Sequence, residues 1–152
     1  MQRTIESLLI TALGGKLNTV IRISLFYFVL VFSAGFVFGS IRVLLLAGFL
    51  GEANAELLEM PLMVIVCAFA ARFLIFKNSE ELTILSSILI GLIALAVLIF
   101  VEISVVLWLR KLTLSEYLST RVSLAGLAYL IGLVWYAVAP SVFYWVRSRR
   151  AS

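Results

Sequence analysis

Four stretches of the chain stay apolar for the length of a bilayer crossing: residues 23–50, 57–76, 82–109 and 122–146. A transmembrane helix needs roughly 20 mostly apolar residues, so each stretch predicts one spanning helix. Ahead of them, Ile5, Leu8, Leu9, Ala12 and Leu13 recur at helical spacing. Gly14-Gly15 then reads as a stop. The pattern predicts an all-α membrane protein. It is a four-transmembrane-helix bundle, with a short N-terminal amphipathic helix on the membrane surface or, in its place, an unstructured start. Glu6, Lys16 and Asn18 interrupt the first apolar run and no small-residue cleavage site follows, so residues 1–20 do not read as a cleavable signal peptide. The expected organisation is an amphipathic segment at 1–20, the four-helix domain at 21–147 and a basic tail at 148–152.

Composition agrees. Apolar residues make up 64% of the chain and charged residues 13%. A soluble domain of 152 residues cannot hide that much apolar surface, so lipid must be the solvent for much of it. The net charge of +4 comes mostly from chain ends and span ends. That suits contact with anionic lipid and not with nucleic acid. Lys and Arg gather on the cytoplasmic side of membrane proteins. With the N-terminus inside, that side holds Arg3, Lys16, Arg22, Arg72, Lys77, Arg147, Arg149 and Arg150, and the other holds Arg42, Arg110, Lys111 and Arg121. Eight against four predicts both termini in the cytoplasm, and the loop carrying Arg110, Lys111 and Arg121 pulls the other way.

Residue types also narrow the chemistry. The chain has no histidine, which removes the commonest zinc ligand, the usual haem ligand and the usual neutral-pH base. Cys67 is the one cysteine, so no intrachain disulfide forms, and its place among Val66, Ala68 and Phe69 reads as a small buried hydrophobe. No phosphate loop, metal cluster or nucleophile–base pair stands out. The balance falls against an enzyme, and no cofactor is implied.

The informative residues are charges inside spans: Arg42, Glu59 and Glu102. A charge in hydrocarbon is costly, so it usually faces the bundle interior with a partner or a job. Arg42 lies about 7 Å from the end of the first span, Glu59 a similar depth into the second, and Glu102 about 10 Å from the end of the third. Alternating helix directions put the three on one shelf, in the outer leaflet. The first two spans are joined by a short loop and are expected to be antiparallel neighbours, so Arg42 can meet Glu59.

Two plain readings compete with a functional one: a structural ion pair, or Arg42 reaching phosphate headgroups. The functional reading is a site for a small ion, proton or ligand, formed by Arg42, Glu56, Glu59, Glu102 and Tyr129. Burial favours a protonated acid and a neighbouring arginine favours the anion, so a carboxyl in such a site can exchange a proton. Glu102 has no partner in its own helix and is the leading carrier. Arg72 reads as an anchor.

Glycines mark helix contacts. Gly35 and Gly39 make a small-xxx-small step, and Gly35, Gly39 and Arg42 share a face. Gly91 and Glu102 are nearly in phase on the third span. Gly126, Tyr129, Gly132 and Tyr136 lie close to one face of the fourth, ahead of a kink expected at Pro140. Pro61 is expected in the first turns of its helix, where a missing N–H is tolerated. Trp135, Tyr136, Tyr144 and Trp145 read as interface anchors. Oligomerisation, with copies of itself or another membrane protein, is expected, because four short helices leave little room for a private pathway.

The run Gly35-x-x-x-Gly39-x-x-Arg42, then Gly51, Ala55, Glu56, Glu59, Pro61, Met63 and Arg72, resembles a group of small four-helix bacterial inner-membrane proteins of unassigned function. It covers about a quarter of the chain. The resemblance implies a bacterial inner membrane and marks Arg42 and Glu59 as a signature. It implies no activity. Asn54, Glu59 and Pro61 are also faintly similar to the start of the second span in the glutathione- and eicosanoid-handling membrane enzymes. The chain lacks that family's basic run, and its first loop is much shorter. Three expectations follow in order: a binding or translocation module, an accessory or scaffold subunit of a membrane complex, and a small membrane enzyme of the glutathione-transferase kind.

Overall fold

Lipid offers a backbone no hydrogen-bond partners, so the chain must satisfy its own N–H and C=O groups along each crossing. A computed structural model describes residues 2–78, 80–110 and 124–151, with side-chain surroundings for 14–51, 54–78, 80–104, 124 and 126–150. Helix α1 spans Gln2–Ile41, a π-helical turn follows at Arg42–Leu46, and α2 is Ala47–Leu50. Helix α3 is Glu52–Lys77, α4 is Ile84–Arg110 and α5 is Leu124–Ala151. Four helical stretches are long and apolar enough to cross a membrane, and this is a multi-pass, all-α bundle. Large apolar side chains line its outside, including Phe49 at 91% and Leu44 at 79% exposure, as a lipid solvent allows.

Several local expectations need correction. The stop expected at Gly14-Gly15 is absent, because α1 runs through both glycines into the first span. Each glycine costs about 1 kcal/mol relative to alanine in a helix, yet it keeps its N–H and breaks no bond. The N-terminal segment is therefore part of α1 and not a separate helix. Residues 148–151 are likewise the last turn of α5 and not a tail. Pro61 is the tenth residue of α3, well inside the helix and past its first turns. Lys111 and Arg121, which argued against the expected orientation, lie outside the described residues.

The helix directions follow from which residues meet. Arg42 meets Glu59 and Gly35 meets Met63, so α1 and α3 are antiparallel. Gly91 meets Ala137 and Glu102 meets Tyr129, so α4 and α5 are antiparallel. Val64 meets Trp135 and Phe76 meets Arg147, so α3 and α5 run in parallel. Helix α3 packs on α1 and α5, and α4 packs on the same two. Consecutive spans α3 and α4 thus lie across the bundle from each other.

The centre is polar in detail. The rings of Tyr27 on α1 and Tyr136 on α5 stack at 4.6 Å, both almost fully buried. Tyr136 is therefore a core residue and not an interface anchor. Ser24 and Ser87, both fully buried, donate to the carbonyls of Val20 and Thr83, one turn back, which satisfies their hydroxyls inside the bundle.

Pro140 explains the tyrosine pairing. It sits buried within α5 and has no N–H for the carbonyl of Tyr136, four residues back. The Tyr27 hydroxyl donates to that carbonyl at 3.0 Å. A proline on one helix thus creates the acceptor that a tyrosine on another fills. Tyr27→Phe is expected to cost about 1–3 kcal/mol, the penalty for a stranded buried acceptor. In a Pro140→Ala background the new N–H can serve Tyr136, and the same change should cost clearly less. Detergent unfolding followed by circular dichroism reads both values, and equal costs in the two backgrounds would refute the account.

Candidate functional site

The joint between the first two spans builds the site. Glu52 and Glu56 fall in the first two turns of α3, near the positive end of its dipole. Gly51 connects α2 to α3 at a φ of +78°, a left-handed conformation that glycine enters without strain. Its N–H bonds the carbonyl of Ala47, and the N–H of Ala55 bonds the carbonyl of Gly51. The reversal is therefore one residue long, and it brings the end of the first span directly against the start of α3.

Arg42 begins the π-helical turn. The N–H of Ala47 bonds the carbonyl of Arg42, five residues back instead of four. Such a turn carries one extra residue and re-aims the side chains around it. No sequence signal for it stands out among Val43, Leu44 and Leu45. The Arg42 Nε lies 3.3 Å from Glu59 Oε2, and its Nη1 lies 3.9 Å from Glu56 Oε2. The Glu59 side chain is only 11% exposed, against 26% for Arg42 and 23% for Glu56. Glu59 Oε2 is buried and accepts no hydrogen bond, so charge alone ties it to the guanidinium. Beside the pair lies a recess of about 50 Å³ lined by Phe38, Ile41, Leu46, Leu58 and Leu62.

Glu102 belongs to a second pair. The Tyr129 hydroxyl donates to Glu102 Oε2, linking α4 to α5. The sequence placed both residues in one candidate ligand set with Arg42, and the structure gives them to each other. The missing clue was the partner helix: Gly91 and Glu102 share the α4 face that meets α5, as their phase suggested. Asn54 donates to the carbonyl of Leu50 and so takes a local role at the reversal. Among the described residues, no three His, Cys, Asp or Glu side chains gather as a metal ion would require.

The glycines divide. A Cβ on Gly35 would lie 3.3 Å from Met63 Cε, so Gly35 faces α3. Gly39 has nothing within 4 Å, which corrects its expected role in packing. Gly91 lies against the backbone of Ala137, and Gly126 is buried in α5. Cys67 is buried in the central apolar cluster that also holds Tyr27 and Tyr136. Comparison with protein families, curated proteins and solved structures finds no match to this chain.

Proposed function

We propose that this membrane protein binds a proton, or a small cation in its place, at the Arg42–Glu56–Glu59 cluster, as a step in moving it across the bilayer. One observation carries the reading: Glu59 Oε2 is a buried acceptor without a hydrogen bond, beside a recess large enough for a water molecule. Arg42 stands between two carboxylates, nearer to Glu59 than to Glu56. When Glu59 takes a proton it loses its hold on the guanidinium, and Arg42 shifts toward Glu56. Loss of the proton restores the first pairing. The π-helical turn at Arg42 gives the backbone somewhere to absorb that shift. The resemblance over Gly35 to Arg72 supports a bacterial inner membrane as the location, and the lysine and arginine balance supports cytoplasmic termini. A single bundle this narrow would carry out translocation as an oligomer.

Infrared difference spectra of the reconstituted protein test the binding step. Lowering the pH should raise a protonated-carboxyl band that Glu59→Gln removes and Glu102→Gln leaves in place. A proton gradient across proteoliposomes should then dissipate at least about tenfold more slowly with Glu59→Gln, a loss on the scale of one essential proton-transfer group. A spectrum with no Glu59 band would end this reading. An accessory role would then be preferred, since Gly39 and Gly48 offer open backbone to a partner helix.

A further inference from the structure

The opposite end of the bundle carries a different arrangement. Phe76, in the last turn of α3, lies under two guanidinium groups from different helices. The Arg72 Cζ is 4.7 Å from the ring centroid and the Arg147 Cζ is 5.5 Å from it. Arg147, on α5, also donates to the carbonyl of Phe76, one of the end carbonyls a helix leaves without a partner. The two charges are thus at most about 10 Å apart and fixed by the same ring. They repel each other, and among the described residues neither forms an ion pair with a carboxylate. Lys77 over Phe73 and Arg149 over Trp145 add two further cations on aromatic supports.

We propose that Arg72 and Arg147 hold the phosphate of one anionic phospholipid at the junction of α3 and α5. Two guanidinium groups held within about 10 Å of each other by one ring suit a phosphodiester, whose oxygens can accept hydrogen bonds from both. What favours a lipid over free phosphate is the rest of the face. Phe69, Arg72, Phe73 and Phe76 follow the helical spacing of one α3 face, and Phe69 and Phe73 are 70% and 57% exposed. Phe69 lies about one turn deeper than Arg72, in the apolar zone where an acyl chain lies, and Phe73 and Phe76 continue the face to the helix end. Basic groups at a membrane surface attract anionic headgroups, and aromatic rings settle at the same depth. The site is about 26 Å along α3 from Glu59, so it stands independently of the proton-binding reading.

The test uses the full chain in neutral micelles doped with phosphatidylglycerol, phosphatidylcholine or inorganic phosphate. Native mass spectrometry counts bound lipid and a thermal scan reads Tm. One phosphatidylglycerol per chain should be retained and should raise Tm, while phosphatidylcholine and phosphate should do neither. Arg72→Gln should weaken retention about fivefold, the effect of one basic group at an anionic surface. Arg72 is exposed, so its removal leaves the bundle folded, and Arg72→Lys should keep most of the binding. Arg22→Gln, an exposed cation at the same end on α1, should change nothing. Equal loss with Arg22→Gln would mean diffuse attraction. Equal stabilisation by inorganic phosphate would mean a soluble anion. Either result, or the absence of any preference for phosphatidylglycerol, overturns the proposal.

Discussion

Gly91→Ala should destabilise the bundle by about 3 kcal/mol, the upper end of the range for overpacking a filled core. A Cβ at Gly91 would lie 2.8 Å from the carbonyl carbon and 3.3 Å from the Cα of Ala137, with the carbonyl oxygen nearer still. The obstacle is backbone, which cannot turn aside as a side-chain tip does. Helices α4 and α5 would have to separate, and the buried contacts of Ile90, Ala94, Tyr136 and Ala139 would loosen with them. Gly35→Ala is the internal control. Its new methyl meets only the flexible end of Met63, so its cost should stay below about 1 kcal/mol. Detergent-titrated unfolding of the two variants gives the comparison directly. If Gly91→Ala unfolds with the wild type, α4 and α5 do not approach as closely as described.

The Arg42–Glu59 pair should give the second large effect, and an asymmetric one. Arg42→Ala strands Glu59 in a site 11% exposed, and about 2–3 kcal/mol is expected for an uncompensated charge that some water still reaches. Glu59→Ala should cost less, because Arg42 keeps Glu56 at 3.9 Å and is partly exposed. Glu56→Ala should cost less than about 1 kcal/mol, as loosely held, half-exposed pairs do. In the double-mutant cycle, the Arg42→Ala and Glu59→Ala costs should fall short of additivity by about 1–2 kcal/mol, since the second change removes the stranded charge. Additive costs would mean that the two residues do not interact across the reversal.

The site was half legible in the chain. Shared depth, opposite charge and a short connection pointed to Arg42 and Glu59, and the two meet. Those arguments work because hydrocarbon penalises a lone charge so heavily that few placements remain. They failed for Glu102, which satisfies the same depth rule but bonds Tyr129 on α5. Depth gives position along a helix and says nothing of which neighbour stands at that level. The glycine step failed at Gly39 for a related reason: two residues four apart share a face only approximately, so one can meet a neighbour while the other does not.

The sequence by itself determined that four helices are long and apolar enough to cross a membrane, where the second and third begin and end to within a few residues, and that an arginine and a glutamate stand at matching depth on the first two. Those properties follow from local transfer energies, which depend on each residue and its near neighbours along the chain. Only the tertiary structure decided that α5 lies between α3 and α4, and that Gly91 rests on the Ala137 backbone. It also decided that Tyr27 fills the acceptor that Pro140 leaves open, and that two arginines share Phe76. Lipid tails are as apolar as leucine, so hydrophobicity cannot choose among helix neighbours. Close backbone approach and a few interhelical hydrogen bonds make that choice, and they depend on residues far apart in the chain.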